Sequence, residues 1–246
     1  EAGLTGEMTK TLEARFAQKF GVGYAIAVNS GTSALHCALA ATGVGAGDEV
    51  IVPPLTFAAT AFCVLYLGAV PVFADVDPQT FNIDPQDIEK KITRRTKAMI
   101  AVSLYGLPID VDKIMPLAGR YKIKVIEDDA QCVLGRYNGR YRGEIAGSVA
   151  DVSIFSFQRS KHLTTGDGGM VTTNSEEIAL KVRKFGDLGY TTLTAKPISN
   201  ENFKEKIQNP NFLRHDSVGY NFRMPEVCAA MAIAQLEKAD MLVKKR

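Results

Sequence analysis

The chain has 246 residues, 46% of them hydrophobic, a composition that excludes a disordered or collagen-like protein. Lys and Arg number 29 and Asp and Glu number 27, so the formal charge of +2 provides no general field for binding nucleic acid or an anionic membrane. No apolar run approaches the roughly 20 residues of a membrane span and no signal-peptide pattern opens the chain, so we expect a cytoplasmic protein.

Short β-rich runs alternate with amphipathic helical stretches along the chain. This alternation predicts an α/β fold in which a seven-stranded, mostly parallel sheet is covered by helices on both faces. Ligands of such sheets bind beyond the carboxyl ends of the strands, so the loops that follow strands are the candidate sites. The predicted strands are 24–28, 49–52, 70–74, 98–103, 124–127, 152–155 and 170–173, and the predicted helices are 8–20, 33–41, 58–67, 85–92, 111–121, 176–185 and 225–245.

Residues 191–216 are polar and only weakly periodic, which predicts a long excursion with one short helix before the last predicted helix. The chain does not begin with Met and it ends inside that last helix, so we expect it to be part of a longer protein. The cysteines form no Cys-x-x-Cys pair and have no histidine at metal-ligand spacing, which predicts buried free thiols at Cys37, Cys63, Cys132 and Cys228.

Several familiar catalytic signatures are missing from the sequence. No Gly-x-Gly-x-x-Gly follows a predicted strand, no Walker lysine follows a glycine run, and neither His-Glu-x-x-His nor Gly-x-Ser-x-Gly occurs. The sequence therefore gives no support to nicotinamide binding, P-loop hydrolysis or zinc proteolysis.

Two loops offer weak signals for a ligand. Residues 29–35 form a small polar turn between a strand and a helix, and its amides and hydroxyls suit an anion at the helix N-terminus. Residues 53–57 place Phe57 after two prolines, where its ring could cover a flat ligand. A simple helix cap and a phenylalanine of the core are the alternative interpretations.

Two further loops carry stronger signals. Glu127, Asp128 and Asp129 end an apolar strand, and buried carboxylates are costly unless a cation or hydrogen-bond donors meet them. Because successive strand residues point to opposite faces, we expect Asp128 to face one side alone. After the next strand, Ser156 is followed by Lys161 and a glycine-rich turn. Lys161 is either a solvated loop charge or an amine held in a pocket.

Four motifs in order resemble the DegT/DnrJ/EryC1/StrS family of pyridoxal-phosphate-dependent sugar aminotransferases. They are Ser-Gly-Thr-Ser-Ala-Leu at 30–35, Glu-Asp through Gln at 127–131, Phe-Ser-Phe through Lys and Gly-Asp-Gly-Gly at 155–169, and Gly-Tyr-Asn-Phe-Arg-Met at 219–224. The resemblance implies the type I aminotransferase fold. Residues 1–246 would then be its pyridoxal-phosphate-binding large domain, with the small C-terminal domain and the N-terminal start missing.

The resemblance implies two catalytic residues. Lys161 would form the internal aldimine with pyridoxal 5′-phosphate and later move a proton between substrate and cofactor. Asp128 would pair with the protonated pyridine nitrogen and keep the ring an electron sink. Asp129 departs from the pattern, because the family often has a small residue there. No metal site is expected.

The resemblance also implies the remaining cofactor contacts. Asn221 would reach the phosphate of the neighbouring subunit, so a homodimer with shared active sites is expected. Because the stretch 219–224 follows the long polar segment, we expect it to lie away from the strand-end loops of its own sheet. The other implied contacts are stacking on the ring by Phe57, a hydrogen bond near the ring hydroxyl by Gln131, and phosphate binding by Thr32, Ser33 and Ser156.

The activity implied by the resemblance is transfer of an amino group, from glutamate as the expected donor, to a keto group of a nucleotide-linked sugar. The product would be an amino sugar for a surface polysaccharide or a glycosylated natural product. Two alternatives stay open. One is a sugar dehydratase of the same fold, in which a histidine replaces the aldimine lysine. The other is a non-catalytic binding or regulatory relative.

Overall fold

A computed structural model of the chain describes residues 5–197 and 209–245. It confirms all seven predicted strands and the first six predicted helices, with every boundary within two residues of its prediction. The strands are β1 Tyr24–Val28, β2 Glu49–Val52, β3 Val70–Phe73, β4 Thr96–Val102, β5 Lys124–Asp128, β6 Val152–Ser156 and β7 Gly169–Thr173. The helices are α1 Glu7–Phe20, α2 Gly31–Ala41, α3 Ala59–Tyr66, α4 Pro85–Lys91, α5 Val111–Tyr121, α6 Glu176–Gly186, α7 Glu226–Glu237 and α8 Ala239–Lys244.

The single helix predicted over 225–245 is wrong, because the structure divides it into α7 and α8. The break lies at Lys238, whose backbone angles of φ −101° and ψ 4° are not helical. The Lys238 amide donates to the carbonyl of Gln235, three residues back, so the turn is tighter than an α-helical one. Of the segment 191–216, which was predicted to carry one short helix, the described parts 191–197 and 209–216 contain no helix, and residues 198–208 lie outside the described residues.

The seven strands form one sheet in the order β1-β7-β6-β5-β4-β2-β3. The strand β7 runs antiparallel to both of its neighbours, and the other pairings are parallel. Six strands therefore end at the same edge of the sheet, and β7 begins there. This edge is where a ligand site is expected in an open α/β sheet.

Helices cover both faces of the sheet, as predicted. The helices α2, α3 and α6 pack on one face, and α1, α4, α5 and α7 pack on the other. Side chains of β5 alternate between these layers, since Val125 belongs to one core and Ile126 to the other. By the same alternation, Asp128 shares the face of Ile126, and Glu127 lies on the opposite face.

The stretch 219–224 does not lie away from its own sheet, so that expectation is wrong. Arg223 forms an antiparallel bridge with Val28 at the end of β1, and the Asn29 amide donates to the carbonyl of Phe222 over 2.8 Å. The stretch thus extends the sheet edge beside β1, held there by backbone hydrogen bonds.

The predicted buried thiols have a mixed outcome. Cys37, Cys63 and Cys132 are buried free thiols as predicted, whereas Cys228 is a free thiol that is only partly buried. No helix in the described parts of the chain is long and apolar enough to cross a membrane.

The start of α2 lies unusually close to β6 and β7. A Cβ atom on Gly169 would lie 2.5 Å from the carbonyl oxygen of Ser30, and one on Gly31 would lie 2.8 Å from Cβ of Ser156. Such distances are too short for any side chain, so glycine is required at both positions. The close approach fixes the N-terminus of α2 against the two strands.

We predict that Gly169→Ala destabilises the protein by about 2–3 kcal/mol, because the new methyl group meets backbone atoms that cannot move aside. The matched control is Gly119→Ala within α5, where a Cβ atom meets nothing within 4 Å. That substitution should stabilise the protein by about 0.4–1 kcal/mol. Urea unfolding of both variants checks the difference, and equal effects would contradict the close approach.

Candidate active site

A cleft of about 400 Å³ opens at the edge where the parallel strands end. Residues from the loops after β1, β2, β5 and β6 line it together with the end of β4 and the glycine turn before β7. Six residues predicted for the cofactor site meet here although they are far apart in sequence. They are Thr32, Phe57, Asp128, Gln131, Ser156 and Lys161.

Asp128 is the buried acid of the cleft. Its side chain is 6% exposed, and its Oδ1 accepts a hydrogen bond of 3.0 Å from the Ala130 amide. Burial raises the pKa of Asp128 to about 6, although the Ala130 amide and the positive charge of Lys161 each lower it. The carboxyl therefore titrates well above the ordinary range of aspartate.

Lys161 is half-buried and enters the cleft from a tightly held loop between β6 and β7. The Phe157 amide donates to the Gly168 carbonyl over 2.8 Å, and the Thr165 amide donates to the Phe157 carbonyl over 2.9 Å. Phe157 itself is buried in the core beneath the loop. Lys161 thus lines the cleft as a half-buried residue, which favours the interpretation as an amine at a pocket.

The N-terminus of α2 lines the cleft beside the end of β6. Ser30 caps the helix, since its Oγ accepts from the Ser33 amide over 3.0 Å. The Ser33 hydroxyl donates to Oδ1 of Asn29 over 2.7 Å and does not line the cleft. Thr32 and Gly31 do line it, and their amides lie in the first helical turn, where no helix carbonyl is available to them.

Phe57 and Gln131 stand on the remaining sides of the cleft. Phe57 is 73% exposed, so the interpretation as a core phenylalanine is wrong. Gln131 receives a 3.0 Å hydrogen bond on Oε1 from the Tyr105 amide. Tyr105 has a left-handed φ of 52°, a conformation that non-glycine residues rarely adopt outside turns and functional sites. The amide group of Gln131 is thereby fixed by its neighbour.

Asn221 lies outside this cleft. It is exposed and lines a second cavity, of about 340 Å³, between α1, α6 and the stretch 221–226. The backbones of Tyr220 and Phe222 are tied to α6, with amide hydrogen bonds of 2.6 Å to the Phe185 carbonyl and 2.8 Å to the Gly186 carbonyl. In its own chain, Asn221 is therefore not among the residues that surround Lys161.

Sequence reasoning missed several polar residues of the cleft. Thr56 and Thr60 share a hydrogen bond of 2.9 Å between their hydroxyls on the wall beside Phe57. Their signal was available, since Thr56 belongs to the same proline-led loop as Phe57. The other missed polar residues are Ser30, Gln158, Ser160 and Asp167.

Glu127 and Asp129 lie on the opposite side of the sheet from the cleft, and neither is exposed. Tyr137 and Gly147, from the segment between β5 and β6, donate to Glu127. Asp128 alone of the three acids reaches the cleft, in the arrangement expected from the strand periodicity. No cluster of three or more potential metal ligands occurs in the described residues.

Comparison with known proteins gives the family. A family model described as the DegT/DnrJ/EryC1/StrS aminotransferase family matches residues 1–246. GDP-perosamine synthase from Caulobacter vibrioides is 44% identical over 235 residues, which cover 96% of this chain and 58% of that protein. The chain thus spans less than two thirds of the length of this curated relative.

Two solved structures are similar throughout the chain. An aminotransferase from Psychrobacter cryohalolentis has a TM-score of 0.83 and 39% identity, over 95% of this chain and 56% of that one. A point mutant of GDP-4-keto-6-deoxymannose-3-dehydratase (ColD), with bound GDP-perosamine, has a TM-score of 0.84 and 30% identity, over 96% of this chain and 62% of that one.

We predict that Asp128→Asn stabilises the ligand-free protein at neutral pH. The folded pKa is raised, so the favourable contribution of Asp128 is present at low pH and is lost as the pH rises through about 6. Replacing the carboxyl by a neutral amide should gain about 3 kcal/mol at pH 8 and about half of that at pH 5. Chemical unfolding at the two pH values measures the gain. A destabilised variant at pH 8 would contradict the assigned burial of charge.

Proposed function

The chain belongs to the DegT/DnrJ/EryC1/StrS aminotransferase family, and on that premise we propose that it is a pyridoxal-phosphate-dependent sugar aminotransferase. In this proposal residues 1–246 are the cofactor-binding large domain. The reaction moves an amino group from glutamate to a keto group of a nucleotide-linked sugar. The observation that carries the proposal is the meeting of the Lys161 amine and the buried Asp128 carboxyl in one cleft at the N-terminus of α2.

The charges and surfaces of the cleft fit pyridoxal 5′-phosphate. The first turn of α2, with Thr32, suits the phosphate, because helix N-termini favour anions. Asp128 is an acid in a buried position and suits the ring nitrogen, which carries a proton in these enzymes. Phe57 exposes its ring in the cleft, where it can cover the face of the pyridine. Ser156 adds a hydroxyl at the end of β6.

The cofactor, when bound, supplies an aldehyde that exchanges an amino group and a ring that takes up electrons released at the substrate carbon. The Lys161 amine would hold the cofactor by condensing with that aldehyde, with release of water, and would act there as acid and base. Asp128 keeps a proton at the ring nitrogen by accepting a charge-assisted hydrogen bond. Gln131, fixed by the Tyr105 amide, donates toward the ring hydroxyl.

The proposed substrate is a nucleotide-linked keto sugar. GDP-perosamine synthase is the name of a relative, and the ColD structure holds GDP-perosamine, so a GDP-linked keto sugar is the first compound to test. Because the chain is also similar to ColD, a sugar dehydratase is the alternative function to be tested. Lys161 argues against it, because the family resemblance places a histidine at this position in dehydratases.

We predict that the full-length protein binds pyridoxal phosphate covalently, converts it to the amine form when glutamate is added, and restores the aldehyde form when GDP-4-keto-6-deoxymannose is added. Absorbance spectra follow both halves of the cycle. In Lys161→Ala the cofactor should be removable by dialysis and turnover should be lost, since no other amine stands among the described residues that line the cleft.

Controls separate the possible outcomes. Borohydride reduction followed by mass spectrometry should place the adduct on Lys161, and an adduct on Lys97 or Lys113 would overturn the assignment. Lys113→Ala, on an exposed lysine paired with Asp110 outside the cleft, should behave as wild type. A product that has lost a hydroxyl without gaining nitrogen would favour the dehydratase, and failure to bind the cofactor would favour a non-catalytic protein.

We further propose a homodimer in which Asn221 contacts the phosphate of the partner subunit's cofactor. Asn221 is exposed beside a backbone that is tied to α6, so it presents a rigid, neutral donor at the surface. A neutral amide contacts a phosphate without the desolvation cost of another buried charge. Ser33, whose hydroxyl is engaged by Asn29, contributes to the phosphate site through the order it gives to the helix cap.

We predict that Asn221→Ala weakens cofactor binding about 10- to 100-fold, because it removes one hydrogen bond to a charged group and such a bond contributes about 1.5–3 kcal/mol. Mixing full-length Lys161→Ala with Asn221→Ala, at a cofactor concentration too low for the latter alone, should restore activity. Each mixed dimer then has one doubly substituted site and one intact site. If subunits exchange and no activity returns, the shared site is excluded.

A further inference from the structure

Glu127 and Asp129, the two acids on the face of the sheet opposite the cleft, differ in their hydrogen-bond partners. Glu127 and Asp129 are both fully buried, next to each other on the face opposite the cleft. Glu127 accepts hydrogen bonds from three donors: the Ser103 hydroxyl at 3.3 Å, the Gly147 amide at 3.2 Å and the Tyr137 hydroxyl. Neither carboxyl oxygen of Asp129 has a hydrogen-bond partner among the described residues.

No cation compensates this pair within the part of the chain that the structure describes. None of the ion pairs found there includes Glu127, Asp128 or Asp129. Gly147 and Phe155 pack closely against the Oδ2 side of Asp129. A Cβ atom on Gly147 would lie 3.1 Å from Oδ2 of Asp129 and 2.5 Å from the Phe155 ring. Two charged carboxylates would therefore face each other in the core without compensation.

The electrostatics favour one proton on the pair. Burial raises the pKa of Glu127 to about 7, and burial together with the charge of Glu127 raises the pKa of Asp129 well above its ordinary value. The ionisable groups that face the pair are Asp128 from β5 and Cys132 and Tyr137 from the segment after it, and none of them is a cation. Two like charges packed together in the core cannot both persist.

The donors decide which acid holds the proton. Glu127 already has three donors and gains nothing by becoming a donor itself, so it is the ionised partner. The Ser103 hydroxyl is the donor nearest to Asp129, but it donates to Glu127. Neither oxygen of Asp129 forms a hydrogen bond with it, so the Asp129 carboxyl group is satisfied by donating a hydrogen of its own. The oxygens of Glu127 are the acceptors beside it.

We propose that Asp129 is a protonated acid that donates to Glu127, and that it acts as a positioning residue that limits the negative charge behind Asp128. The trio then carries two charges instead of three at neutral pH. The sharing of the proton is a property of the ligand-free fold. Its effect on the cofactor rests on the proposed function, since it acts through the contact of Asp128 with the ring nitrogen.

Infrared spectroscopy of the ligand-free protein tests the shared proton directly. At pH 8, above the pKa values of about 7 for Glu127 and about 6 for Asp128, the wild type should show the carbonyl band of a protonated carboxylic acid, and both Asp129→Asn and Asp129→Ala should lose it. Two variants are used so that one informative protein remains if the other fails to fold. The control is Glu49→Gln, because hydrogen bonds from Thr93 and Arg95 keep the pKa of the buried Glu49 low and its carboxyl ionised. That variant should retain the band.

The holoprotein tests the second half of the proposal. In alkaline solution the pair of Glu127 and Asp129 loses its shared proton and carries two negative charges. The added charge raises the pKa of the neighbouring Asp128 carboxyl. The pH titration of cofactor absorbance should therefore shift by on the order of one pH unit between wild type and Asp129→Asn. A merely structural role of Asp129 would leave this titration unmoved.

Each outcome has one meaning. If the infrared band persists in both Asp129 variants, the shared proton is disproved whether or not cofactor binds. If the band is lost but the absorbance titration is unchanged, Asp129 does not act on Asp128 and that half of the proposal falls. If the band is lost and no variant or wild type binds cofactor, the proposed function fails while the shared proton stands.

Discussion

The structure around the end of β5 depends on the burial of three carboxyl groups, those of Glu127, Asp128 and Asp129. The strand β5 is covered on both faces, so its alternation sends Asp128 toward α2 and its two neighbours toward α5. Each side needs its own compensation, because an isolated buried charge is costly. On one side that compensation is the Ala130 amide and the charge of Lys161. On the other it is a group of three donors around Glu127.

This division explains why the cleft and the core behind it are built from different parts of the chain. The cleft uses loops that follow the parallel strands, which meet at one edge for topological reasons. Two of the three donors on the far side, Tyr137 and Gly147, come from the segment between β5 and β6, and the third, Ser103, follows β4. Asp128 and Glu127 are thus adjacent in sequence but have different hydrogen-bond partners on opposite faces of the sheet.

Much of this arrangement could be predicted from sequence, and the failures have physical reasons. The strands and helices carry strong periodic patterns, and the alternation about Asp128 follows from strand geometry alone. The position of the Ser33 hydroxyl could not be predicted, because it depends on its hydrogen bond to the side chain of Asn29 and not on the helical pattern. The stretch 219–224 lies at the sheet edge because its backbone pairs with Val28 and Asn29. Backbone pairing of this kind does not produce a recognisable pattern of side chains in the sequence. The cleft residue Asp167 is recognisable only once the loops meet.

The antiparallel strand β7 has a consequence for the order in which the site assembles. The loop that carries Lys161 closes a hairpin between β6 and β7, which pair through residues close in the chain. By contrast β1, which delivers the start of α2, pairs with β7 from far away in sequence. Because closing a short loop costs less entropy than closing a long one, the hairpin can form first and then serve as the template on which β1 docks. The Lys161 loop would then be in place during refolding before the N-terminus of α2 docks beside it.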